Sequence, residues 1–313
     1  MKVLLNFIKG FKSTGKAAKM VVLLFIINLA FSLVLAVPMY HSLKSSMGKS
    51  KAGERMAKGF DYLWWEEFQD DSKGLSTTFT PSIIGPGALL DNVENLVHMR
   101  KLRLPPVILI AGLLYIILHT FLAGGILSLF IQRPIKFTMK SFFEGAGHYF
   151  IRFFLLMLIS WVFFMAISIF LNSGFSSIID NVSRKALTEK EPFFLGLFFS
   201  ALIFFLILFI QMVFDYARIN IVVEDGKNVF KSALKAFSFV FRHPGSTLGL
   251  YYLIFLISLA VAGIYILIKS IIPQSAFIGV FTAFLFQQTF IFAVIWLRCW
   301  LYSSQLELYR YLE

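Results

Sequence analysis

The sequence predicts an all-α polytopic membrane protein with six transmembrane helices, and composition and hydropathy patterning both indicate this class. Of the 313 residues, 58% are hydrophobic, 17% are aromatic and only 15% are charged. This is more apolar side chain than the core of one soluble domain buries. The 38 phenylalanines fall mainly in unbroken apolar runs. Such runs are typical of helices in lipid, whereas the strands of a β-barrel alternate apolar and polar residues.

The first apolar run, residues 20–40, is long enough to cross a hydrocarbon core of about 30 Å. Asn28 is its strongly polar side chain, and lysines precede it. A basic flank also precedes the apolar region of a signal peptide, so a cleaved leader is the competing interpretation. The run ends at residues 37–40 without the small-residue pattern of a cleavage site, which favours a retained span.

Five more apolar runs follow, and each is near the length of one membrane crossing. They are residues 105–131, 152–171, 193–214, 246–268 and 276–297. The gap between the last two is brief, but Pro273 within it can end one helix before the next begins. We therefore predict a single membrane domain over residues 1–313, with both termini on one side and one long external segment, residues 41–104.

The distribution of basic residues predicts the orientation of the chain. The formal net charge is +12, and most of the excess falls in segments on the same side as the N-terminus. Lysine and arginine are retained on the cytoplasmic side, so both termini are expected in the cytoplasm of a bacterium, with the spans in its inner membrane. Because the basic residues lie beside spans, membrane lipids are the expected partners and nucleic acid is not.

Two cytoplasmic segments share a helical pattern of apolar residues. Before the third span the pattern is Met139, Phe143, Ala146 and Phe150, and before the fifth it is Phe230, Leu234, Phe237 and Phe241. In each segment Lys-Ser follows the first of these residues, and Phe11-Lys12-Ser13 repeats this weakly before the first span. We interpret the chain as three membrane hairpins, each preceded by a cytoplasmic interfacial amphipathic helix. The alternative is that any basic, phenylalanine-rich segment beside a span has this appearance.

The external segment combines aromatic and acidic residues at positions 59–68, as expected of a helix at the membrane surface. Residues 81–87 are turn-rich, and residues 88–99 are predicted as a short amphipathic helix that leads into the second span. We expect this segment to pack on the bundle as an interfacial cover. A ligand-binding lid is the alternative.

Short motifs from the second span onward resemble a known group of proteins. They are Gly124-Gly125, residues 142–146 with Tyr149 and Arg152, and residues 215–218 with Glu224. The pattern is similar to uncharacterised bacterial six-helix membrane proteins, and to the membrane domain attached to some glycerophosphoryl diester phosphodiesterases. The resemblance implies a fold rather than an activity, because these 313 residues hold no match to the soluble phosphodiesterase domain.

Four polar residues fall near the middle of predicted spans, at Asn28, His119, Gln287 and Gln288. They could form one cluster. Such side chains often hydrogen-bond between helices and stabilise the bundle. The functional alternative is a substrate or proton site near the bilayer midplane, where transporters commonly bind their substrates.

Asp215 and Arg218 are three residues apart near the cytoplasmic end of the fourth span. This spacing lets the two side chains pair, which lowers the cost of charge near lipid. A pairing role is the first interpretation. A gate or a contact with a lipid headgroup is the second, because ionisable residues within spans often mark pathways.

Glu144, His148 and Arg152 share one helical face, which could titrate as a unit or hold a metal. A solvated strip is the favoured interpretation, because two ligands from one helix leave a metal site incomplete. No cofactor is predicted, since the sequence holds neither a HExxH motif nor a nucleotide-binding loop, and Cys299 is its single cysteine.

We therefore expect an integral membrane protein without enzymatic activity, either a transport component or a lipid-associated scaffold that also has a protein partner in the membrane. The alternative is an intramembrane enzyme that acts on a lipid substrate. His119, or the pair of Asp215 and Arg218, would then form its polar centre.

Overall fold

The computed structural model describes residues 2–48, 51, 54–55, 60–80, 106–132, 134–186, 188, 190–272 and 277–313. Over these ranges the chain forms helices and short helical turns, with no β-strand. Six of the helices are long and apolar enough to cross a membrane. The chain is therefore an all-α, multi-pass membrane protein, as the hydropathy pattern predicts.

The helices in chain order are α1 (Lys2–Lys16), α2 (Ala18–Met47), α3 (Tyr62–Asp71), α4 (Pro106–Ile131), α5 (Met139–Ala166), α6 (Asn172–Ser183), α7 (Lys190–Glu224), α8 (Val229–Arg242), α9 (Pro244–Ile271) and α10 (Phe277–Leu312). A 3-10 turn, Gly74–Thr78, follows α3, and a π-helical turn, Ile167–Leu171, joins α5 to α6. The membrane-crossing helices are α2, α4, α5 continued by α6, α7, α9 and α10.

The largest difference from the predicted bounds is at the C-terminal end of the sixth span. The apolar run ends at residue 297, but α10 continues to Leu312. The added turns bury Leu301, Leu306 and Leu308 against the core. Polar residues lie between these leucines and lower the local hydropathy below that of a span. One face of this part of the helix is nevertheless fully buried.

The segments before the first and fifth spans are separate helices, α1 and α8. Helix α8 ends because His243 leaves the helical conformation and Pro244 starts α9, a position where proline is tolerated. The segment before the third span differs from the prediction, because it continues into that span without a break as α5. No proline interrupts residues 139–166, so nothing forces the helix to end there.

The most extensive packing in the described part of the chain is between α4 and α5. A Cβ atom on Gly125 would lie 2.7 Å from the Phe142 ring, and one on Gly145 would lie 2.5 Å from the Ser128 Cβ. Small residues let the two helix backbones approach closely. Of the predicted hairpins, α5 with α7 and α9 with α10 also pack together, whereas α2 and α4 pack against each other only sparsely.

The buried core lies at one end of the bundle, where α1, α8 and the last turns of α10 are found. At this end Trp300 Nε1 donates a hydrogen bond to the Phe7 carbonyl oxygen at 2.9 Å, which attaches α1 to α10. Towards the opposite end, large side chains such as Phe170, Phe198 and Ile271 are exposed. In a bilayer these surfaces face lipid, which is as apolar as they are.

The described part of the segment predicted to be external packs on α2. Trp64 and Phe68 of α3 are buried beside Leu43 and Met47. The Trp64 Nε1 atom donates to the Ser46 hydroxyl at 3.0 Å. Packing on the bundle is thus observed for this part, while the predicted turn at residues 81–87 and helix at 88–99 lie outside the described residues.

Candidate functional site

The centre of the site is an ion cluster that joins α7 to α10. Asp215 is fully buried, and its Oδ1 atom accepts a hydrogen bond from Arg218 Nη1 at 2.8 Å. The same oxygen accepts a second bond from Arg298 Nη2 at 2.8 Å. The pairing of Asp215 with Arg218 is therefore as the spacing predicts, and Arg298 is an additional partner.

Tyr302 holds the two guanidinium groups in place from the other side. Its hydroxyl oxygen accepts from Arg298 Nη2 at 2.8 Å and from Arg218 Nη1 at 3.2 Å. The Arg298 guanidinium also lies over the Tyr302 ring, 4.4 Å from its centroid, where the negative face of the ring attracts the cation. Asp215 and the Tyr302 hydroxyl thus hold both arginine side chains, and the Tyr302 ring holds Arg298 in addition.

The cluster carries more positive than negative charge, because two arginines share the single carboxylate of Asp215. That carboxylate has a second oxygen, Oδ2, which is buried without a hydrogen-bond partner, and so is the Arg218 Nε atom. The Arg298 side chain is 36% exposed, while that of Arg218 is 11% exposed. Their free N–H groups therefore provide unused donors for an anion.

A cavity of about 340 Å³ lies beside this cluster. It is bounded by five of the membrane-crossing helices, α2, α4, α5, α7 and α10. Its walls are mainly aliphatic and aromatic, and the polar side chains on them are Asn28, Tyr115, His119, Thr120, Ser160, Gln211, Arg218, Arg298, Cys299 and Tyr302. An apolar cavity with a few convergent polar groups is the usual form of a small-molecule site.

Asn28 and His119 both line this cavity, joined through Tyr115. The Tyr115 hydroxyl donates to Asn28 Oδ1 at 2.9 Å, and the Tyr115 ring centroid lies 4.2 Å from that of His119. Gln287 is exposed and Gln288 is half-buried, and neither lines the cavity. The structure thus brings together two of the four mid-span residues and adds Tyr115 to them.

The wall of the cavity between α2 and α4 is thin, because these helices pack together only sparsely. The Asn28–Tyr115 hydrogen bond spans the gap between them. The Phe31 and Tyr115 rings, with centroids 5.3 Å apart, make a second bridge. On this side of the cavity, few contacts therefore connect α2 to α4.

Comparison with protein-family models, with curated proteins and with solved structures gives no match. The function of the site is consequently argued from its geometry and chemistry alone.

A second polar cluster surrounds Asp225, which follows the end of α7. Arg152 Nη1 lies 2.7 Å and His148 Nε2 lies 3.2 Å from Asp225 Oδ1. The hydrogen bond with Arg152 and, to a smaller extent, the one with His148 hold the pKa of the Asp225 carboxyl below its ordinary value. The predicted face of Glu144, His148 and Arg152 is therefore divided, since Glu144 pairs with Lys140 at 3.9 Å instead.

No metal centre is evident at that face, since the described residues contain no group of three His, Cys, Asp or Glu side chains placed to hold an ion. Arg152 on this face has a structural role, because it also donates to the Gly226 carbonyl oxygen at 3.3 Å. Arg152 thereby attaches the connection between α7 and α8 to α5.

A third polar group connects α7, α8 and α10. Asn220 Nδ2 donates to Glu224 Oε1 at 2.7 Å and to the Tyr309 hydroxyl at 3.0 Å. Lys235 Nζ lies 2.5 Å from Glu224 Oε2. These contacts satisfy polar groups beside the core and fix the position of α8.

Sequence reasoning did not identify Arg298, Tyr302, Tyr115 or Gln211. Arg298 and Tyr302 are four residues apart just after the sixth apolar run, and a pair at this spacing shares a helical face. That signal was available, but it carries weight only if the helix continues beyond residue 297. The predicted span ends at residue 297, so both residues fell outside the predicted helix and their shared face was not recognised.

Proposed function

We propose that this protein binds an anionic amphiphile of the bacterial inner membrane in the cavity between its spans, as a lipid-associated scaffold or transport component without turnover. The observation that carries the proposal is the position of Arg298, whose partly exposed side chain lines a cavity with otherwise mainly apolar walls. An amphiphile has the matching form, because it joins an anionic headgroup to an apolar chain.

The energetics of charge in a membrane support this proposal. Excess positive charge in an apolar surrounding is costly unless an anion compensates it. Asp215 compensates one of the two arginines, and an anionic headgroup beside Arg298 would compensate the other. Hydrogen bonds between a guanidinium and a carboxylate or phosphate are also among the strongest in proteins.

The size of the cavity restricts what fits. A volume of about 340 Å³ is near the lower end of the range for small-molecule sites. It suits a headgroup with the first part of one chain rather than a whole phospholipid. The sparse packing of α2 on α4 supports an arrangement in which the remaining chain extends between these helices into the bilayer.

The surfaces of α1 and α8 support an interfacial position with both termini in the cytoplasm. Helix α1 exposes Leu4 and Ile8, and α8 exposes Phe230 and Leu234. Exposed lysines lie beside these apolar residues, at Lys2, Lys9, Lys12, Lys227, Lys231 and Lys235. A helix with this combination lies at an anionic headgroup layer, where the apolar residues enter the lipid.

A second candidate function is favoured by His119. It lines the same cavity as the arginines, and imidazole is the side chain whose ordinary pKa suits proton transfer near neutral pH. An intramembrane enzyme acting on a lipid would place His119 beside the bound headgroup or chain. This candidate requires a chemical change in the bound molecule, whereas the leading proposal requires none.

Native mass spectrometry of protein released from native membranes tests both candidates. Wild-type protein should retain an anionic lipid, and Arg298→Gln should lose it. The control is Arg184→Gln, which changes an exposed arginine just after α6 and should retain the lipid. Loss of the lipid from both variants, or retention by both, would contradict the assignment to this cavity. Conversion of the retained lipid to a product, abolished by His119→Ala, would replace the leading proposal with the enzyme.

A further inference from the structure

We infer that this cavity selects a singly charged oxyanion headgroup, a phosphodiester or a carboxylate, over a doubly charged phosphomonoester. The inference rests on the proposed function and adds the charge class of the ligand to it. It follows from the charges that the structure places at the ion cluster.

The charge at the cavity can be counted from the described residues. Arg218 and Arg298 are the charged side chains among the residues that line it, and both contact Asp215 Oδ1. The His119 imidazole adds no charge in its neutral form. Two cations and one anion leave a single positive charge.

A bound monoanion would make the whole site neutral. In a medium of low polarity, uncompensated charge is far more costly than in water, so neutrality is strongly favoured. A dianion would leave one net negative charge in the site.

The arrangement of donors is consistent with one oxyanion. Each guanidinium has five N–H groups. Arg218 donates to both Asp215 and Tyr302 through Nη1, and Arg298 donates to both through Nη2. The remaining groups, including the buried Arg218 Nε–H, have no partner on Asp215. Gln211, which lines the same cavity, can add hydrogen bonds to a headgroup without adding charge.

The test is a competition between lipids of defined headgroup charge, read by native mass spectrometry of purified protein in detergent at neutral pH. The probes are phosphatidylglycerol as the phosphodiester, oleate as the carboxylate, phosphatidic acid as the phosphomonoester and phosphatidylcholine as the zwitterion. A phosphomonoester carries about −1.5 to −2 charges at this pH. Wild-type protein should retain at least one of the two monoanions about tenfold better than phosphatidic acid or phosphatidylcholine. The phosphatidylglycerol and oleate arms then distinguish a phospholipid from a fatty acid as the source.

Variants that change the charge of the site should shift the lipid preference in a predictable direction. Asp215→Asn raises the site charge to +2. The retention of phosphatidic acid relative to the monoanions should then rise about tenfold, which corresponds to about 1.4 kcal/mol. Arg298→Gln lowers the charge to zero, so the preference for any anion over phosphatidylcholine should disappear. Arg184→Gln is the control and should keep the wild-type order.

The possible results distinguish the charge selection from the proposed function on which it rests. If wild-type protein retains phosphatidic acid as well as the monoanions, the charge selection is refuted while anion binding stands. If no anionic probe is retained above phosphatidylcholine, the proposed function itself is refuted. Should Asp215→Asn fail to fold, the wild-type order and Arg298→Gln still decide between these results.

Discussion

Arg298 Nη2 donates to Asp215 Oδ1 at 2.8 Å, although the two residues are 83 positions apart in the chain and lie in different spans. The Asp215 side chain is fully buried, and this bond joins α7 to α10 beside the cavity. The same carboxylate therefore stabilises the bundle and reduces the positive charge presented to a ligand. Stability and binding are coupled through one side chain.

Asp215→Ala should strongly destabilise the protein, because it leaves two arginines without their carboxylate. Removing one partner of a buried ion pair costs about 3–5 kcal/mol. Thermal unfolding of purified protein in detergent should show a large fall in melting temperature.

The matched control is Glu144→Gln, which breaks the Lys140–Glu144 pair, whose side chains are 85% and 64% exposed. Exposed pairs contribute at most about 1 kcal/mol, so its melting temperature should change little. Equal shifts for both substitutions would show that the Asp215 cluster has no special stabilising role.

The spans could be predicted from sequence because lipid imposes a length and an apolar composition that are visible locally. Asp215 and Arg218 were identified for the same reason, since three positions on a helix bring their side chains together. Arg298 was not, because nothing in its own neighbourhood indicates that a distant carboxylate will pair with it. Contacts between helices depend on how each helix is rotated, and hydropathy does not fix rotation.

The mid-span polar residues illustrate this limit. Asn28, His119 and Gln287 all lie at comparable depth in apolar runs, so depth alone could not separate them. Asn28 and His119 face the cavity, whereas Gln287 is exposed on α10. The face of α10 that enters the bundle carries Arg298 and Tyr302 instead.

Gly145→Ala should destabilise the crossing of α4 and α5. The new Cβ atom would lie 2.5 Å from the Ser128 Cβ, so one helix must shift. Overpacking of this kind costs about 1–3 kcal/mol, and thermal unfolding measures it.

Gly147→Ala is the control within the same helix, because its Cβ meets no atom within 4 Å. There, alanine should raise the stability by up to about 1 kcal/mol through its higher helix propensity. If both alanine substitutions stabilise the protein, the close approach of α4 and α5 is contradicted.

Asp225→Asn should lower the stability at neutral pH, and the loss should shrink as the pH falls. Arg152 and His148 hold the pKa of Asp225 below its ordinary value of 3.8. A carboxyl with a lowered pKa in the folded state contributes stability above its unfolded-state pKa, and the contribution disappears as the pH falls through the folded-state pKa. Asparagine tolerates the positive φ of 48° at this position, so the substitution changes mainly the charge.

The effect should stay below about 1 kcal/mol, because the Asp225 side chain is 61% exposed and solvent screens the ion pair. Melting temperatures of the two proteins between pH 7 and pH 3 measure it. Asp180→Asn, at an exposed position on α6, controls for general effects of removing a carboxylate. A difference between wild type and Asp225→Asn that still grows as the pH falls below about 4, where the carboxyl takes up its proton, would have the wrong sign for this ion pair.

Cys299 provides a direct report on occupancy of the cavity, because it is the single cysteine and its side chain lines the cavity wall. It is only 1% exposed, so a neutral maleimide should react with it slowly. An anionic amphiphile at ten times its Kd fills about 90% of the sites, and the reaction should then slow about tenfold. The rate is measured by mass spectrometry of the labelled protein.

The control for this measurement carries Cys299→Ser together with Phe241→Cys, which moves the thiol to an exposed position on α8. Its labelling should not respond to the amphiphile, because α8 does not line the cavity. Protection of both thiols would indicate a general effect of the amphiphile on the micelle. Protection of neither thiol, under conditions where mass spectrometry detects binding, would contradict binding in the cavity, because Cys299 is part of the cavity wall.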